Sequence, residues 1–128
     1  MLVLTIRTDQ PEAEIGLYKD GQIIAERRWA AHRQLAETLH STIGNLLADN
    51  GISFEQLNGI VVYAGPGSFT GLRIGVSVAN ALSYSCQIPI VASHTGNWQS
   101  DGISSLHSAT IKYIAPFYGM PATITKPK

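Results

Sequence analysis

With 128 residues the chain has room for one domain, or one domain with a tail, and not for a second full lobe. Nine basic and nine acidic residues cancel to a formal charge of zero, leaving no global field to hold nucleic acid or an anionic membrane. Only 14% of residues are charged, against about 25% in an ordinary soluble protein, so apolar surface is left over for a partner.

Leu2 to Ile6 is a short apolar run, too short for a signal peptide or a membrane span, and it predicts a strand in a cytoplasmic chain. Ala13 to Tyr18 follows the turn residues Thr8-Asp-Gln-Pro11 and reads as its antiparallel partner. Asp20-Gly21 between apolar runs predicts a two-residue hairpin, with a third strand over Ile23 to Trp29. From His32 to Asn50 the apolar positions Leu35, Leu39, Ile43, Leu46 and Leu47 have the period of an amphipathic helix, closed by Gly51. Ser53 to Leu57 adds a short helical turn. Gly59 to Ala64 carries no polar alternation and predicts a fully buried strand. A second helix follows over Thr70 to Cys86, stopped at Gln87-Ile-Pro89, and Ile88 to Ala92 reads as a fifth strand. The order βββαβαβ occupies residues 1–95. Residues 96–128 read as a loop followed by a tail holding Pro116, Pro121 and Pro127, extended or docked on a partner.

A strand ending in Gly65-Pro66-Gly67 and passing straight into a helix puts helix amides at the carboxyl end of the sheet, where α/β folds place ligands. Gly65, Gly67, Ser68 and Thr70 are therefore candidate phosphate contacts, favoured by unpaired N–H groups and the helix dipole. The same residues serve a plain tight turn with a hydroxyl cap equally well. No Gly-Lys-Ser/Thr ending is present, and Gly65, Gly67 and Gly71 do not fit the dinucleotide spacing.

The helix that follows has Arg73 as its single charge, with apolar groups around most of its circumference, so a second face must be covered. Gly71, Gly75, Ala79 and Ser83 form a stripe of small residues suited to close approach by another helix, either the chain's own first helix or a partner's. His32, His40, His94 and His107 include no i, i+4 pair, so no metal site is expected, and His32 and His94 read as solvated or capping side chains. Ser68 lacks the Gly-x-Ser-x-Gly elbow of a serine nucleophile. Cys86, the single cysteine, lies near a helix C-terminus where the dipole opposes a thiolate, and reads as an unreactive packing residue.

Gly65-Pro-Gly-Ser-Phe-Thr-Gly-Leu-Arg-Ile-Gly75 resembles the signature of the TsaB (YeaZ) proteins of tRNA threonylcarbamoyladenosine biosynthesis. The likeness extends to the element order, the Asp20-Gly21 hairpin, His32 and Ile-Pro-Ile-Val-Ala-Ser at 88–93, covering residues 1 to 95. It implies an α/β, actin-like and Hsp70-like (ribonuclease H-like) N-terminal lobe with a mixed five-stranded sheet. It also implies a non-catalytic subunit that dimerises with a TsaD-like paralogue and supports threonylcarbamoyl transfer to the adenosine beside the tRNA anticodon. The helices at 32–50 and 70–86 would then present Leu35, Leu39, Ile43, Leu72, Val76 and Ala79 as contacts. The isolated chain would pair with itself, a TsaE-like ATPase would join the complex, tRNA would be met only indirectly, and ATP or ADP would bind at the interface with the partner rather than as an intrinsic cofactor. Two departures stand out. Arg7 replaces the acid of the usual Ile-Asp-Thr, and the second lobe is missing, although Ala115 to Pro121 resembles a C-terminal segment of longer members. The rival from another class is an independent ATPase or small kinase of the same fold. A peptidase is suggested only by old family names.

Overall fold

The computed structural model describes residues 1–31, 34–94 and 96–106. Strands β1 (Leu2–Arg7), β2 (Glu12–Lys19) and β3 (Gln22–Ala30) form an antiparallel meander. Lys19 pairs with Gln22 across the expected two-residue turn, and Asp20 (φ 51°) and Gly21 (φ 84°) both take the positive φ that this turn demands. The N-terminal ammonium closes on the Asp20 carboxylate at 2.7 Å and holds that carboxyl below its usual range. Helix α1 (Leu35–Asp49) then leads through a short 3-10 turn to β4 (Gly59–Tyr63), α2 (Phe69–Cys86), β5 (Ile90–Ser93) and α3 (Trp98–Leu106). The sheet order is β3-β2-β1-β4-β5, with β4 parallel to β1 and β5 parallel to β4.

The two-residue period of a strand sorts the core into two layers. Leu4 and Ile6 of β1, Ile15 and Leu17 of β2, and Ile60 and Val62 of β4 meet Leu39, Ile43 and Leu46 of α1 and Val76, Ala79 and Leu82 of α2. On the opposite face Val3, Val61 and Tyr63 meet Trp98, Ile103 and Leu106 of α3. Helices thus cover both faces of a mixed sheet, as the resemblance implies for an actin-like lobe.

Helix α3 corrects the reading of residues 96 onward as a loop. Its exposed side consists of Ser100, Asp101, Ser104 and Ser105, which gives the segment a loop composition. Gly102 serves packing: a Cβ there would run into the Val61 side chain on β4. Ser93 anchors the approach to this helix by donating to the Trp98 carbonyl at 2.6 Å. The lobe therefore continues to Leu106 and does not stop at 95. The proline-containing tail, His32 and His107 lie outside the described residues.

Candidate functional site

The parallel strands β1 and β4 end side by side, and the chain leaves β4 through Ala64 and Gly65 to reach the N-terminus of α2. Gly65 has φ 115°, a conformation that side chains rarely adopt, and the peptide it forms with Pro66 is cis. The turn is tied at both carbonyls. His94 Nδ1 donates to Gly65 O at 2.6 Å, and the Tyr63 hydroxyl donates to Pro66 O at 2.7 Å. The Tyr63 ring in turn makes a T-shaped contact with the Trp98 ring, with centroids 5.9 Å apart, and has the Arg7 guanidinium 4.0 Å from its centre.

Arg7 donates from Nε and Nη2 to Asp9 Oδ1 and Oδ2 at 2.7 and 3.3 Å. Its hydrogen bond to Asp9 raises an already high pKa, so the guanidinium stays charged. The Asp9 side chain is only 6% exposed, and its carboxylate presses on Gly67 so closely that a Cβ there would stand 2.5 Å from Oδ2. A phosphate at the glycine turn would therefore meet the Arg7–Asp9 ion pair, whose charges cancel, beside the helix amides. Arg7 does stand where the resembled family carries its acid, but an acid is present two residues later. Asp9 reads in the sequence as a turn residue; its sole signal is the alternation Arg7-Thr-Asp9, which returns to the same side of an extended chain.

Thr8, between them, explains the stripe of small residues. Its Oγ1 donates to Gly71 O at 2.7 Å, a Cβ on Gly71 would collide with the Thr8 carbonyl, and a Cβ on Gly75 would collide with Thr8 Oγ1. The first half of the stripe thus receives the end of β1, and neither α1 nor a partner helix. Ala79 is buried in the core, and Ser83 spends its hydroxyl on Ile88 O at 2.5 Å.

The four candidate phosphate contacts are not gathered into one cradle. Ser68 and Thr70 line a cleft of about 380 Å³ with Thr8, Asp9, Leu35 and Ile74, whereas Gly65 is buried beneath the turn and Gly67 is occupied by Asp9. Ser68 holds the N-cap position of α2, but its side chain makes no capping hydrogen bond.

The structure also relocates the helix contacts. Leu35, Leu39, Ile43, Leu72, Val76 and Ala79 are all buried inside the lobe, because the face carrying the helical period is the face that packs on the sheet. Of the six, Leu35 alone also lines the cleft at the sheet end. The outer face of α2 is built from Thr70, Arg73, Ser77, Ala81 and Tyr84, the last 64% exposed, flanked by half-buried Ile74 and Val78. A groove of about 360 Å³ runs between this face and Ala36 of α1, and it shares Thr70 and Ile74 with the cleft at the sheet end.

Among the described residues no three His, Cys, Asp or Glu side chains gather to hold a metal ion. No helix among them is long and apolar enough to cross a membrane. Burial, and then the Glu55 charge, push the Cys86 thiol up. We expect iodoacetamide at about pH 8 to alkylate the folded chain several-fold more slowly than the urea-unfolded chain, as mass spectrometry would read, because the thiolate fraction falls as the pKa rises.

Residues 28–100 match the family described as TsaD: tRNA N6-adenosine threonylcarbamoyltransferase. The chain is 27% identical over 115 residues to the tRNA threonylcarbamoyladenosine biosynthesis protein TsaB of Escherichia coli, covering 85% of this chain and 49% of that one. It is 36% identical over 92 residues to TsaB of Bacillus subtilis, covering 72% and 40%. The solved structure of YeaZ from Pseudomonas aeruginosa superposes with a TM-score of 0.67 at 26% identity, over 73% of this chain and 43% of that one. The chain therefore spans half or less of the length of these relatives. On the sequence match, the shared lobe and the relatives that carry both, the chain belongs to the family of TsaD and its TsaB (YeaZ) relatives.

Proposed function

We propose that this chain is a non-catalytic subunit in tRNA threonylcarbamoyladenosine biosynthesis. It docks the outer face of α1 and α2 on a TsaD-like catalytic paralogue and so supports threonylcarbamoyl transfer to the adenosine beside the anticodon. The observation that carries this reading is α2 itself: its inner face is already satisfied by the sheet, yet its outer face still offers Ile74, Val78, Ala81 and an exposed Tyr84, with one charge in eighteen residues. A solvated helix face is normally charged. A zero net charge fits a subunit that meets tRNA only through its partner. The Arg7–Asp9 pair packed against Gly67 favours this reading over an independent ATPase or kinase, and in it ATP or ADP, where bound, lies at the interface with the partner. A TsaE-like ATPase joins that complex, the chain alone pairs with itself through the same face, and the site of action is the cytoplasm.

Co-purification with the cognate TsaD homologue tests the reading. Ala81→Glu places a charge in the middle of the docking face at an exposed position, so the complex should be lost while thermal stability stays within about 0.5 kcal/mol. A complex undiminished by Ala81→Glu would show that the partner sits elsewhere.

A further inference from the structure

Arg73 is the one charge on α2, and it stands exposed at the groove formed with Ala36, Ile74 and Val78. Arg7, Arg27 and Arg28 each lie against a carboxylate, Asp9, Asp49 and Glu26 respectively. Arg73 has no such partner among the described residues. Its position in the fold allows the guanidinium to remain hydrated only while the groove stays open.

Docking on this face closes the groove and removes water from the guanidinium. Left unpaired in a closed interface, a cation that cannot be neutralised is strongly unfavourable, and its planar fork of five donors matches a carboxylate or a phosphate through two parallel hydrogen bonds, of which a protein partner's own side chains supply the carboxylate. We infer that the docking surface of the TsaD-like partner carries an Asp or Glu carboxylate that receives Arg73, ringed by apolar side chains that fill the groove along Ile74 and Val78. This inference rests on the docking reading above and adds the chemistry by which the partner is selected. The apolar lining gives adhesion with little directional preference, whereas a desolvated ion pair rejects any partner that offers a cation or a methyl group at that point.

Calorimetry with the full chain and the cognate TsaD homologue separates the two layers of the argument. Arg73→Gln should weaken binding by roughly 30-fold or more, Arg73→Glu should abolish it, and Arg73→Lys should recover part of the loss without the two-pronged geometry. All three should melt with the wild-type chain, since the side chain makes no described bond in the free lobe. Scanning the partner's surface carboxylates to Arg should find one that restores binding to Arg73→Glu. Binding of Arg73→Gln within twofold of wild type, while Ala81→Glu abolishes the complex, overturns the carboxylate and leaves the docking face standing. A wild-type chain that does not bind at all overturns both. If Arg73→Gln breaks a homodimer seen by light scattering yet leaves the partner complex intact, the groove belongs to a second copy and the inference falls.

Discussion

Gly71→Ala should cost the lobe about 3 kcal/mol or more, lowering the melting temperature by roughly 12 °C or more in calorimetry. The general expectation for a glycine inside a helix is the reverse, since alanine there is favoured by about 1 kcal/mol. What decides the sign is the neighbour. The new methyl group would be driven into the backbone carbonyl of Thr8, which cannot swing aside as a side chain could, because Thr8 follows directly on Arg7, where β1 is still paired with β2, and its own Oγ1 is bonded to Gly71 O. Relief requires α2 to lift from the end of β1, breaking the Thr8 bond to Gly71 O and opening the core around Val76. Gly44 of α1 supplies the control, because a Cβ there meets nothing within 4 Å. Gly44→Ala should therefore raise stability by about 1 kcal/mol. Equal responses from the two glycines would contradict the close approach of β1 to α2.

Val76→Glu should abolish cooperative unfolding altogether. Val76 is fully buried beneath α2, and a carboxylate placed there has no described cation to meet, so the penalty of several kcal/mol consumes most of the 5–15 kcal/mol that typically holds a domain together. The milder Val76→Ala should leave a folded chain weakened by about 2 kcal/mol through the lost methyl groups and the cavity. A folded, monomeric Val76→Glu chain with an unchanged melting curve would mean that the inner face of α2 is open. As a probe of partner binding Val76→Glu is unsuitable, since loss of the complex would only report loss of the lobe; Ala81→Glu, on the opposite side of the helix, asks the question cleanly.

The contrast between Val76 and Ala81 also locates what the sequence could not convey. Hydrophobic period identified α1, α2, the hairpin at Asp20-Gly21 and the buried strand β4, because each depends on local spacing or on one turn's backbone. Period tells which residues are buried, but a sheet of the same chain and a helix of another satisfy it equally, and Leu35, Leu39, Ile43, Leu72, Val76 and Ala79 face the first. The same ambiguity covers Gly71 and Gly75, whose partner, Thr8, is more than sixty residues away in sequence. Helix α3 was hidden by composition, its serines lying outward and its glycine inward. At the site, Arg7 in place of an acid was legible, while its consequence was not: only the fold brings Asp9 onto Gly67 and makes the glycine turn internally occupied.

The sheet order sets a timetable for folding. β1 lies at the centre, with β2 delivered by the next few residues and β4 only after the meander and α1 have been made, so that Val3 waits for Gly59. During synthesis the three-stranded meander can close early through its local hairpin, but the free edge of β1 and the apolar undersides of Leu4 and Ile6 remain uncovered until that distant strand arrives. The interval before β4 docks is therefore the chain's period of greatest exposure to strand-edge aggregation, and the fully apolar β4 that ends it is itself the segment most in need of prompt capture.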